Sequence, residues 1–181
     1  MPKTITIPKA ELWDSKNNRF IYTKETTIVI EHSLVSLSKW ESIWHKPFLT
    51  DVKKTREETI SYIKCMTLTQ NVNPDTYNFL TNENIAEIDA YIGDSMTATW
   101  FGDDKNSRPS KKVITNELIY YWMISLNIPM ECQKWHLQRL ITLIRVCNEE
   151  NKPKKKISRK EAYSRQAALN ASRKAKLNSK G

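Results

Sequence analysis

The sequence predicts an α+β fold that is mainly α: an N-terminal β-hairpin or small sheet, a helical bundle, and a basic C-terminal helix. Three observations carry this. Within residues 1–31, short β-type segments are separated by Pro residues and polar turns. From Ser33 the apolar spacing changes to three and four, the period of a helix. From residue 151 the chain becomes basic and loses most of its large apolar side chains.

The β-rich part comes first. Thr4-Ile5-Thr6-Ile7 alternates between Pro2 and Pro8. Leu12-Trp13-Asp14 and Arg19-Phe20-Ile21-Tyr22 flank the polar turn Ser15–Asn18 and read as a hairpin. Thr26–Ile30 is β-branched and adds a third strand. Strands this short need a partner layer, so they are expected to pack on the helical part of the chain.

Ser33 is placed to cap the first helix, and Leu34, Leu37, Trp40 (or Glu41) and Trp44 make its stripe, ended by Pro47. Thr55–Glu58 is a capping box opening a helix with Ile60, Ile63, Cys65 (or Met66) and Leu68. Pro74 starts a short helix through Leu80. Thr81 opens the next, with Ile85, Ile88, Tyr91 and Ile92 on one face and Gly93 at its end. Residues 94–112 read as a loop. Thr115 caps a helix bearing Leu118, Ile119, Trp122, Met123 and Leu126, and Asn127-Ile128-Pro129 breaks it. A helix from about Glu131 to Asn148 is apolar around most of its circumference beyond two turns, the pattern of a central helix. Leu37, Trp40, Ile60, Ile63, Ile88, Trp122, Leu140 and Ile144 are expected to be buried. Ser158–Glu161 is a further capping box, before a helix to about Leu177 with too few apolar residues for its own core.

Charge draws the domain boundary. The 181 residues carry a net +9. Residues 151–181 hold eleven Lys and Arg against one Glu, a net +10, while residues 1–150 stand at −1. The expectation is a compact body over 1–150 (1–31 β-rich, 32–150 helical) and a basic extension over 151–181. With 39% hydrophobic and 27% charged residues the chain as a whole is of ordinary soluble composition. Only 3 Gly argue against a phosphate-cradling loop. Cys65, Cys132 and Cys147 are odd in number and form no CxxC, which fits a reducing compartment. No apolar run reaches signal-peptide or membrane-spanning length, so a cytosolic chain is expected and no membrane partner.

No catalytic constellation stands out, and a non-enzyme is expected. There is no GxSxG, P-loop or GxGxxG. Glu57-Glu58 and Glu149-Glu150 are adjacent and point apart on a helix. Cys132 and His136 are four apart, a metal-ligand spacing, but further ligands are missing nearby; a buried Cys beside a partly exposed His is the simpler reading. No metal or cofactor is expected. His32 and His45 stand in no motif.

Two features point to partners. Trp40, Trp44, Pro47 and Phe48 form an aromatic cluster in which the two Trp share a helix face. It reads either as core packing or as a protein-binding face. The basic tail, with Lys154, Lys155, Lys156, Arg159, Lys160, Arg165, Arg173 and Lys174, reads as a nucleic-acid contact, a dock for an acidic protein, or a solubilising extension.

Three segments carry a resemblance: Glu31–Leu49, Glu117 through Leu137, and Ala168–Asn178. From about residue 11 to the C-terminus the chain resembles a small protein family of tailed bacteriophages described as tail assembly chaperones. The resemblance implies a non-enzymatic protein of the host cytoplasm during phage assembly. Such chaperones coat the long helical tape-measure protein, help tail-tube subunits assemble around it, and then leave. It also implies tape-measure or other tail proteins as partners; the Trp40–Phe48 segment is the contact surface expected from the residues, and self-association stays open. Many members of the class are made in two lengths by ribosomal frameshifting, and Lys154–Lys156 could be encoded by a slippery A-rich run. Two alternatives remain: a virion head-tail or tail component whose basic tail contacts DNA or an acidic neighbour, and a nucleic-acid-binding module.

Overall fold

A computed structural model of the chain describes residues 1–15, 17–50, 52–102, 112–152 and 158–177. The fold is α+β and mainly α. The chain divides into two compact units, Met1–Glu149 and Glu150–Gly181.

The first unit opens with four strands: β1 (Lys3–Ile7), β2 (Ala10–Asp14), β3 (Arg19–Thr23) and β4 (Thr26–Ile30). β1 pairs antiparallel with β4, and β2 with β3. Both ladders keep one register, Ile5 opposite Ile28 and Trp13 opposite Phe20, so the two pairs are halves of one long ribbon. Pro8, which has no N–H to donate, sits where the ladder is interrupted. The expected hairpin is therefore present, and β1 and β4 extend it. Ile5, Ile7, Ile28 and Ile30 are fully buried at the base of the ribbon.

β4 also binds on its other side. Leu68 donates to the Val29 carbonyl at 2.8 Å, and Glu31 to that of Met66 at 2.9 Å. The chain then enters α1 (Leu34–Trp44), capped reciprocally by Ser33 and Ser36. α1 ends on His45, held in the left-handed region at φ 51°. α2 (Arg56–Met66) carries the Thr55–Glu58 capping box, and packs along α1. A 3₁₀ turn over Pro74–Phe79 comes next, then α3 (Asn82–Gly93), capped by Thr81 and packed on β1. Gly93 is the last helical residue, not a left-handed cap; extended Asp94 closes the helix.

α4 (Asn116–Ser125) buries Ile119 and Met123. Thr115 precedes it but makes no side-chain cap; the acceptor is Glu41 of α1. Asn127 turns the chain at φ 52°. The helix expected from Glu131 to Asn148 is divided. A 3₁₀ turn spans Met130–Lys134, Trp135 is extended, and α5 runs Leu137–Glu150. The cause is tertiary: His136 bridges to Ser33 in antiparallel fashion, and Leu137 donates to the His32 carbonyl at 2.7 Å. α5 buries one stripe, Leu137, Leu140 and Ile144, rather than its whole circumference.

One cluster, from Ile5 to Ile144, forms the core. It contains Leu37, Trp40, Ile63, Ile88, Leu140 and Ile144 as expected; Ile60 and Trp122 are only partly buried and line its edge. Cys65, Cys132 and Cys147 are free thiols. The second unit contains α6 (Arg159–Leu177), on which every residue with a described side chain is exposed.

Candidate functional site

The aromatic cluster singled out by the sequence is assembled, and most of it faces inward. Trp40 and Trp44 stack with ring centroids 6.1 Å apart, and Phe48 meets Trp40 edge-on at 5.1 Å. Phe48 also lies 4.0 Å from the Tyr62 ring. The Trp40 indole N–H donates to the Glu58 carbonyl at 2.9 Å, and that of Trp44 to Ser61 Oγ at 3.0 Å. Trp40 is 2% exposed and Phe48 8%. Of the four residues offered as a contact surface, these two are core; Trp44 and Pro47 are half-buried at its rim. The physical reason is that α2 lies along the Trp face of α1 and satisfies both indoles.

Two lysines border this cluster. Lys46 pairs with Glu58 at 2.7 Å, which, with the Thr55 N–H, holds the Glu58 carboxyl below its usual range. Lys54 donates to the Phe48 carbonyl at 2.9 Å and sits 4.1 Å from the Phe48 ring centre. Burial lowers its pKa, with Glu58 acting in the opposite sense. A cleft of about 290 Å³ opens here, lined by Trp40, Lys46, Pro47, Val52, Lys54 and Glu58 among others.

Beneath this region is a polar knot that the sequence did not announce. His32 and His136 are both buried, their rings 5.1 Å apart. His32 Nδ1 and Tyr62 Oη are hydrogen-bonded at 2.5 Å. His136 Nε2 donates to the Tyr91 carbonyl at 3.0 Å, and the Tyr91 hydroxyl to Glu31 at 2.7 Å. His136 Nδ1 has no partner among the described residues. His136 is thus buried where partial exposure was expected, because its bridge to Ser33 draws it beneath α1. Burial, with His136 as a second cause, pushes His32 down to about 3. Burial likewise lowers His136 and raises Tyr62 and Tyr91. Closed to solvent, the knot ties α1, α2, α3 and the entry to α5. Cys132 lies in the 3₁₀ turn and His136 in the bridge before α5, and among the described residues no three His, Cys, Asp or Glu are grouped to hold a metal.

An open aromatic surface lies on the distal half of the ribbon. Trp13, Phe20 and Tyr22 are 51%, 53% and 67% exposed. Trp13 and Phe20 are opposite each other, with centroids 4.8 Å apart, and Phe20 lies 6.3 Å from Tyr22. In the shared register, these three continue the face that buries Ile5, Ile7, Ile28 and Ile30 at the base. The distal half of the ribbon turns its opposite face, with Ile21, to the core and leaves the aromatic face open. The sequence held the signal: a turn at Ser15–Asn18 sets 13 opposite 20 and 11 opposite 22.

In the second unit, Arg159, Lys160, Arg165, Arg173 and Lys174 lie on α6 and are exposed. Lys154, Lys155 and Lys156 lie outside the described residues. No helix among the described residues is long and apolar enough to cross a membrane. No protein-family model, curated protein or solved structure matches the chain.

Proposed function

We propose that this chain is a non-enzymatic bacteriophage assembly protein, a tail assembly chaperone that covers the tape-measure protein during tail morphogenesis. The observation that carries the reading is the uncovered aromatic face Trp13–Phe20–Tyr22 on a ribbon rooted in a well-packed core. Aromatic side chains give large contact area for little lost conformational freedom. A helical tape-measure chain presents repeated apolar stripes, and an exposed aromatic face suits such a stripe. Many copies bound side by side hold the long chain by multivalency, so each contact can remain weak and reversible. The resemblance of Glu31–Leu49, Glu117–Leu137 and Ala168–Asn178 to phage tail assembly chaperones points the same way. Of the four residues expected to form the contact, Trp40 and Phe48 are buried, and Trp44 and Pro47 remain at the rim.

The test is co-expression with the tape-measure protein of the same phage. The wild-type chain is expected to keep it soluble and co-purify with it. Trp13→Ser with Phe20→Ser is expected to abolish both effects with the fold intact. Mass spectrometry of purified particles completes the test. Stoichiometric copies of this chain in the virion would replace the transient chaperone with a structural component.

A further inference from the structure

The two units differ in charge. Met1–Glu149 contains 18 Lys and Arg and 18 Asp and Glu, and is neutral. Glu150–Gly181 contains eleven Lys and Arg and two Glu, a net +9. Six of these cations, Arg159, Lys160, Arg165, Arg173, Lys174 and Lys176, are exposed on α6. At 1.5 Å per residue its 19 residues reach about 28 Å. With 3.6 residues per turn the six cations fan over roughly 220° of the circumference, rather than along one stripe. Lys160 and Lys174 mark one flank, Arg165 and Lys176 the other, with Arg159 and Arg173 between.

This arrangement selects among polyanions. A protein partner meets one face of a helix and is anchored by clustered aromatic or apolar side chains. On α6 the large apolar residues are Tyr163, Leu169 and Leu177, six and eight positions apart, too dispersed for one anchor. Single-stranded nucleic acid is held largely by stacking on aromatic rings, and α6 has only Tyr163. Duplex RNA has a major groove too narrow and deep for side chains to read. The major groove of B-form DNA admits a helix and has phosphates on both walls, which matches cations on both flanks. Phosphates also relieve the repulsion among like charges crowded on one helix.

We infer that α6 is a duplex-DNA-binding helix that sits in the major groove and holds the phosphate backbone without reading sequence. This activity is separate from tape-measure binding, and belongs to a different unit of the chain.

The test uses the full-length protein and a labelled 30-base-pair duplex of arbitrary sequence, followed by fluorescence anisotropy at increasing NaCl. Six phosphate contacts give a slope of log K against log salt of about −5 or steeper. Arg165→Gln with Lys176→Gln is expected to flatten that slope by about 2, and to weaken binding at least about tenfold near 0.1 M salt. The charge-preserving pair Arg165→Lys with Lys176→Arg is expected to retain binding, and Lys3→Gln in the body to leave it unchanged. Circular dichroism checks that the helix persists in each variant. Absence of binding in low salt overturns the inference, as does a slope that the Gln pair leaves unmoved. Competition by single-stranded DNA, duplex RNA or polyglutamate as strong as that by duplex DNA overturns it too.

Discussion

One carboxylate oxygen of Glu41 accepts both the backbone N–H of Asn116 at 2.9 Å and its side-chain amide at 2.6 Å, across 75 residues of chain. The other oxygen of Glu41 accepts the Phe48 N–H at 2.7 Å. A single buried side chain on α1 thus caps α4 and clamps the turn after α1. It takes the role that local sequence assigned to Thr115.

Replacing Glu41 should therefore be costly. Glu41→Gln keeps the shape but turns an amide N–H₂ toward one of these donors. The expected loss is about 2–4 kcal/mol, since buried donors are left without an acceptor. Urea unfolding followed by Trp fluorescence measures it. A loss below about 0.5 kcal/mol would show that the cap is unimportant.

The buried imidazoles make stability fall in mild acid. His32 is pushed down to about 3 from an ordinary 6.5, and His136 is lowered too. Between those limits the unfolded chain takes up protons that the folded chain refuses. The contribution is complete above pH 6.5 and is lost as pH falls toward 3, at about 1.4 kcal/mol per pH unit for each proton. Glu58, whose pKa is lowered from 4.5, loses its contribution only in stronger acid. Unfolding free energy measured from about pH 5 to 7 should slope for the wild type and slope less for His32→Gln. Equal slopes would remove His32 from the account.

Tryptophans separate core from surface. Trp40→Ala empties a packed site and is expected to cost about 3–5 kcal/mol. Trp40→Phe removes the donor to the Glu58 carbonyl, and about 1–3 kcal/mol with it. Trp13→Ser on the open ribbon face should change stability by no more than about 0.5 kcal/mol. Thermal unfolding of the three variants ranks them. A destabilised Trp13→Ser protein would mean that the ribbon tip belongs to the folding core.

Truncation after Lys152 addresses the two units. The core cluster runs from Ile5 to Ile144, with Cys147 the last residue packed on it. The shortened chain is expected to unfold with unchanged midpoint and denaturant dependence. A midpoint shift equivalent to more than about 1 kcal/mol would count against independent units.

Local signals were read well where the physics is local. The Thr55–Glu58 box, the Ser33 cap, Pro74 at a helix start and the β2–β3 hairpin pairing each depend on neighbours close in sequence. Burial of Leu37, Ile63, Ile88, Leu140 and Ile144 agrees with the 3.6-residue period. The period could not tell whether the face bearing Trp40 and Trp44 meets a neighbour in the same chain. Spacing alone likewise could not foresee that the 131–148 segment breaks at His136, because a bridge to Ser33, distant in sequence, takes its place.

Element types, most helix starts, and the division into a near-neutral body and a basic extension were legible in the residues alone, because propensity, caps and charge are properties of short stretches. Packing between distant segments set which aromatics are core and which are open. Trp40 and Phe48 are enclosed because α2 lies against α1 and supplies acceptors for its indoles. Trp13, Phe20 and Tyr22 stand open because the distal half of the ribbon meets the core through its opposite face, at Ile21. Both groups look alike as residues; only the placement of remote parts of the chain distinguishes a packed side chain from a binding face.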